Sequence, residues 1–378
     1  MTASLHIHRA ARQAMSTVAV VCLITAACST TTEPESTDAT TAAEDSDTSA
    51  PTSDEDEREP QDAQVEAGPP SSDDEDAAET PEAEIEVVDG AGTALVFDAP
   101  VERIACRNSG CSVTLAQLGL VPVASTFEPA RAELYWGTGA QSILLMPDGA
   151  ENYAPLAPDL IVVGAGDPLI RDLEVIAPVY VIAALGNLAD DATKLTRDLA
   201  AMAGAVEQGE TIVDDWNDFA ATLSDREVPG AADVRLLQLW AGDPSGFSGW
   251  TNNSQWCDLL RDLALVGECL FDPITPETDF GQFSTEAVLA AQPSHISVQL
   301  EWQHIGENVA LEERADEAWL QLDAVQRGNA YRVPTSGNFT PSFFELRYEL
   351  ENYLFHVFGV GAGFEDPGFF VDWAAARR

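Results

Sequence analysis

The chain has 378 residues and a formal net charge of −46, with 64 acidic residues against 18 basic ones. The length sets an expectation of two or three domains, and the charge excludes nucleic acid and anionic membrane surfaces as electrostatic partners. The acidity is not confined to one tail, because residues 87–378 alone carry a net −28.

At the N-terminus Arg9 and Arg12 form a short basic region, an apolar run covers residues 14–27, and small residues lead into Cys28. The run is too short to span a bilayer and reads as an export signal, residues 1–28. Its end, Ile24-Thr25-Ala26-Ala27-Cys28, resembles the lipobox of bacterial lipoproteins, which implies cleavage before Cys28 and acylation of that cysteine. Residues 29–86 are almost entirely Thr, Ser, Glu, Asp, Pro and Ala. Such a segment buries too little apolar surface to offset its ordering entropy, so a disordered stalk is expected, extended by like-charge repulsion. No later stretch offers 18 consecutive apolar residues, so the mature chain is expected to meet the membrane through the lipid anchor only.

Of six cysteines, Cys22 leaves with the signal, and Cys106, Cys111, Cys257 and Cys269 remain besides Cys28. Export and an even number point to two disulfides between near neighbours in sequence. A zinc site is the alternative, although neither pair has a CxxC spacing or a histidine partner.

Beyond the stalk, residues 85–88 and 94–97 flank Asp89-Gly90-Ala91-Gly92, which predicts a hairpin. Apolar runs at 103–106, 121–124, 160–163 and 179–183 alternate with helical stretches at 113–120 and 169–176, the pattern of a parallel sheet covered by helices. A long helical region runs from Leu188 to about Leu223, with a break at Gly204. In its second part Ile212, Trp216, Phe219 and Leu223 recur on one helical face. A second α/β set follows, with strands at 236–239, 295–298 and 330–333 and helices at 257–266, 285–291 and 342–358. The fold class is therefore α/β, with two Rossmann-like lobes (87–203 and 229–378), mainly parallel sheets and a single long bridging helix (204–228).

The halves share a detail. Glu151 stands seven residues before Pro158, which introduces the strand beginning Asp159-Leu-Ile. Glu286 stands seven residues before Pro293, which introduces the strand beginning Ser294-His-Ile. Together with Pro100-Val-Glu-Arg-Ile, Leu115-Ala-Gln-Leu-Gly-Leu-Val-Pro-Val, Phe283-Ser-Thr-Glu-Ala-Val-Leu and Leu322-Asp-Ala-Val-Gln-Arg-Gly, these segments make the chain resemble the siderophore- and cobalamin-binding class of ABC-importer binding proteins. That resemblance covers most of residues 85–360. It implies two lobes on a rigid helix, a ligand between them, little movement on binding, and one glutamate per lobe, Glu151 and Glu286, docking on permease arginines. It also implies an extracytoplasmic protein that works as a monomer.

In such a fold the ligand sits where loops leave the carboxyl ends of parallel strands. The first lobe then offers Arg107 and Asn108 inside the Cys106–Cys111 loop, together with Arg131, Tyr135, Trp136 and the turn at Gly164–Asp167. The second offers Trp240, Phe247, Trp250, Trp302, His304, Asn338, Phe339 and Phe343. Few basic residues argue against anionic ferric catecholates. Neutral or cationic ferric hydroxamates, held by aromatic faces, fit better. Cobalamin suits the same aromatics, and haem would find Tyr135 or His304 as an axial ligand. No cofactor is expected, iron entering only as part of the bound chelate. Bare zinc or manganese is excluded because the mature histidines, His295, His304 and His356, all lie in the second half. An enzyme is not expected: a surface hydrolase would need a nucleophile elbow, and Gly246-Phe-Ser248-Gly249 only partly matches one. A tethered sensing module without an importer is the third reading.

Overall fold

A computed structural model describes residues 84–127, 129–146, 148–182, 186–240, 247–272, 280–300, 317–334 and 341–361. The expectations for the export signal, Cys28 and the stalk up to residue 83 lie outside them, while Ile85 and Glu86, counted to the stalk, belong to the first strand. In the first lobe β1 (Ile85–Val88) and β2 (Ala94–Phe97) pair antiparallel around the expected turn. Asp89 closes that turn, its Oδ1 accepting the amides of Ala91 and Thr93 at 2.9 and 2.7 Å, and Gly92 adopts φ +85°. Three bonds fasten the hairpin to the lobe. Asp89 Oδ2 accepts the Val181 amide, the Gly90 amide donates to the Val181 carbonyl, and Lys194 Nζ donates to the Val88 carbonyl.

Strands and helices then alternate as β3 (Ile104–Cys106), α1 (Ser109–Gln117), β4 (Ala124–Ser125), α2 (Pro129–Trp136), β5 (Leu144–Leu145), β6 (Leu160–Val163), α3 (Ile170–Leu173) and β7 (Val179–Val181). Strands β3 to β7 form one parallel sheet in the order β5-β4-β3-β6-β7. Successive side chains face opposite layers. Cys106, Leu160 and Val162 pack with Leu115 of α1, whereas Ala105, Ile161 and Val163 pack with Tyr153 and Leu173.

The long helical region is broken where expected. Helix α4 (Leu188–Met202), capped by Asn187, is followed by Gly204 at φ +70° and by α5 (Val206–Ser224). Helix α5 bridges the lobes: Ile212 packs against both cores, and Val213, Trp216 and Leu223 sit in the second. Helix α4 runs beside it, with Leu188 and Ala192 in the second core and Leu195 and Leu199 in the first. They approach closely at Gly209, where a Cβ would lie 2.5 Å from Ala200 Cβ.

The second lobe contains β8 (Arg235–Trp240), β9 (Phe247–Trp250), α6 (Gln255–Asp262), β10 (Glu268–Cys269), β11 (Phe280–Phe283), α7 (Thr285–Ala291), β12 (His295–Leu300), α8 (Glu317–Leu320), α9 (Asp323–Gln326), β13 (Ala330–Pro334) and α10 (Phe343–Phe358). The sheet order is β11-β9-β8-β12-β13, with β10 also on β8. Strands β8, β12 and β13 are parallel, and β9 runs against β8. Both expected disulfides are present, Cys106–Cys111 and Cys257–Cys269, with Cα separations of 5.5 and 6.2 Å. Among the described residues no helix is long and apolar enough to cross a membrane.

Candidate functional site

The carboxyl end of β3 delivers Arg107 and Asn108. Asn108 caps α1, its Oδ1 accepting the Gly110 amide at 2.8 Å. The Cys106–Cys111 bond closes the same corner. Arg107 Nε donates to Asp167 Oδ2 at 2.9 Å and Nη1 to the Tyr153 hydroxyl at 3.1 Å, with side-chain exposures of 10% and 11% for the ion pair. Burial alone would lower the Arg107 pKa, but Asp167 and Tyr153 outweigh it and hold it above its ordinary value. The Gly164–Asp167 turn after β6 thus neutralises the cation that sequence places in the cleft.

Arg131, Tyr135 and Trp136 all lie on α2, whose apolar face packs on α10. Arg131 Nη2 donates to Glu345 Oε1 at 2.9 Å, and its guanidinium sits 3.7 Å from the Phe127 ring centroid. The Tyr135 hydroxyl donates to the same Glu345 oxygen at 3.5 Å, and its ring meets Phe344 at 5.6 Å. Burial, and then Glu345, push the Tyr135 pKa far above the ordinary phenol range. Trp136 Nε1 donates to the Leu120 carbonyl at 2.8 Å. Arg131 and Tyr135 thus form a strut between the lobes, with Trp136 packed beside them in the first.

In the second lobe the structure joins Trp240 and Trp250 through Phe280, whose ring lies edge-on to both at 6.1 and 5.2 Å. Phe280 is 39% exposed and was not among the sequence candidates. Phe247 faces the other side of the sheet, in a core with Leu237, Leu239 and Val288. On the α10 side of β12, Ser297 and Gln299 are buried, Ser297 opposite Tyr331 of β13, and Gln299 Oε1 has no hydrogen-bond partner among the described residues. Trp302, His304, Asn338 and Phe339 lie outside the described residues. Phe343 stacks on Trp216 at 5.1 Å and lines a cavity of about 250 Å³ with Gln117, Ile212, Asp215 and Arg347. Among the described residues no group of three or more His, Cys, Asp or Glu side chains could hold a metal ion.

Glu151 lies exposed in the short 3-10 turn Ala150–Asn152, and Glu286 lies exposed in the first turn of α7, where Ser284 caps the Ala287 amide. Tyr153, Phe280 and Glu345 escaped sequence reasoning. Tyr153 and Phe280 gave no local signal. Glu345 did, since Ser342-x-x-Glu345 is a helix-start pattern, but nothing in it pointed to Arg131.

The fold is shared with solved proteins that include siderophore-binding proteins. FeuA of Bacillus subtilis, a triscatecholate siderophore binding protein solved with ferri-bacillibactin, matches with a TM-score of 0.58 and 15% identity, over 73% of this chain and 98% of its own. The periplasmic catecholate-siderophore binding protein VctP of Vibrio cholerae matches with a TM-score of 0.58 and 14% identity, over 72% and 99%. The FhuD protein of S. pseudintermedius gives 0.52 and 17% identity, over 72% and 98%. No protein-family model and no curated protein matches the sequence.

Proposed function

We propose that this protein is an extracytoplasmic, lipid-anchored solute-binding protein that captures a ferric siderophore between its lobes and hands it to an ABC permease. The observation that supports this most is the two-lobed fold, shared over nearly the whole length of siderophore-binding proteins. Arg107, Asn108, Trp240, Trp250, Trp302, His304, Asn338 and Phe339 would face the chelate, Glu151 and Glu286 the permease, and Cys28 would carry the lipid.

Charge favours a neutral or cationic chelate, with ferric hydroxamates as the preferred class. Triscatecholates are anionic, and the first-lobe cleft arginine is already paired with Asp167, as Arg131 is with Glu345. What remains for a ligand is aromatic surface at Trp240 and Phe280. Such a lining attracts cations.

Tryptophan-fluorescence titration of the full mature chain with a ferric hydroxamate, a ferric catecholate, cobalamin and haem tests the reading. Quenching by the hydroxamate is expected at about micromolar concentration or below, and it weakens in Trp240→Phe. Tighter quenching by cobalamin or haem would move the ligand class, and no response to any of the four would remove the ligand assignment.

A further inference from the structure

Two arginines occupy equivalent places in the two lobes and make equivalent bonds. Arg103 stands immediately before β3, and Arg235 is the first residue of β8, the middle strand of each sheet order. Arg103 Nε donates to the Ala157 carbonyl at 2.9 Å, and its Nη2 donates to the Leu156 carbonyl. Arg235 Nη1 donates to the carbonyls of Ala291 and Gln292 at 2.7 and 3.4 Å. Ala157 and Gln292 each lie six positions after a glutamate, Glu151 and Glu286, and immediately before a proline. Both adopt left-handed backbone, φ 42° and 43°, although neither is glycine.

The main-chain bonds repeat as well. The Arg103 amide donates to Asp159 Oδ2 at 2.9 Å, and the Asp159 amide donates back to the Arg103 carbonyl at 2.8 Å. The Arg235 amide donates to Ser294 Oγ at 2.8 Å, and the Ser294 amide donates back to the Arg235 carbonyl at 3.0 Å. In each lobe, then, one arginine ties the end of the acid-bearing segment, and the strand after it, to the middle strand.

We infer that Arg103 and Arg235 are positioning residues that fix the two acidic docking points relative to each other, an inference resting on the permease-docking reading of Glu151 and Glu286. Each acid rides on a helical stretch too short to hold its own shape. What sets its height and direction is the anchoring of its far end. That end is a non-glycine left-handed residue, itself costly, and its carbonyl and the one before it both accept from the arginine. Arginine supplies parallel donors where lysine supplies a point charge. The surroundings differ, since Arg235 also pairs with Glu268 at 2.9 Å while Arg103 meets carbonyls. The anchor recurs despite them. Two weak contacts reinforce each other only when one rigid body can engage both at once, so the spacing of the acids is what these arginines would protect.

The test uses the full chain with its permease complex in lipid nanodiscs, reading the concentration of binding protein that half-maximally stimulates ATP hydrolysis. In Arg103→Gln/Arg235→Gln that concentration is expected to rise about tenfold, the loss of simultaneous engagement, while quenching by ferric hydroxamate is unchanged. Arg103→Lys/Arg235→Lys recovers part of the loss. Each single Gln variant, which keeps one anchor intact, gives an intermediate rise. Unchanged stimulation in every arginine variant, with loss in Glu151→Gln/Glu286→Gln, overturns the positioning role alone. Wild-type stimulation in the glutamate variants overturns the docking reading and this inference with it.

Discussion

Arg131 and Glu345 retain side-chain exposures of only 7% and 10%, so the cost of removing one partner is that of a buried, uncompensated charge. Arg131→Ala is expected to destabilise the protein by about 3–5 kcal/mol, and Arg131→Met/Glu345→Leu to restore most of it, because apolar pairs of similar volume often replace buried ion pairs without loss. Urea denaturation of the three proteins measures this, and equal stability of single and double variants would refute it. At this scale the sequence was legible for position but not for partnership. Arg107 and Asn108 were placed correctly at the end of a strand by the apolar run before them. That Arg107 meets Asp167, and Arg131 meets Glu345 from the far end of the chain, depends on how distant elements pack, which no local pattern records.

Helices α4 and α5 were readable because their apolar faces recur over several turns and Gly204 interrupts them. Not all short elements were. Strand β5 has two residues, too few for any period to show, whereas β4 lies at the end of the 121–124 run that announces it. Strand β9 was not among the expected strands, and its Gly249 is glycine because a Cβ there would lie 1.9 Å from the Gln238 carbonyl oxygen on β8. Helix α2 has its apolar side covered by α10, a partner more than 200 residues away. Close approach also governs α5: Gly209→Val would press into Ala200, and overpacking of this kind costs about 1–3 kcal/mol. A thermal melt lower than that of a Val substitution at exposed Ala221, on the same helix, is the expected result.

Stability of the whole molecule should depend on pH through two groups of α10. His356 stacks on Tyr331 at 4.7 Å, and burial lowers its pKa from 6.5 to about 4. Between those values the unfolded chain binds the extra proton, so stability falls as pH is lowered from about 6.5 towards about 4. Burial, and then Glu345, raise the pKa of Glu349 well above 4.5. There the folded chain holds the extra proton, so stability falls as pH rises above 4.5 until the folded group titrates. Glu349→Gln is therefore expected to exceed the parent in denaturation midpoint at pH 8 and to match it near pH 4, whereas His356→Phe flattens the acid limb. Parallel pH profiles for all three proteins would contradict both assignments. The paired lobes were legible at this scale because the Glu-to-Pro spacing occurs twice, and the paired arginines were not, because their carbonyl partners become visible only once the segments are folded.

Strand β1 begins the described chain, and its first residue, Ile85, pairs with Phe97, the last of β2. Tension applied from the N-terminal side therefore pulls these two ends apart, opening the ladder one rung at a time like a zip rather than shearing all rungs together. Peeling would first meet Val87, buried in the first core, then the Lys194 bond to the Val88 carbonyl, and then the bonds of Asp89 and Gly90 to Val181. The outer rungs, Ile85–Phe97 and Glu86–Val96, would thus act as a sacrificial clasp that yields before Val87 is drawn from the core.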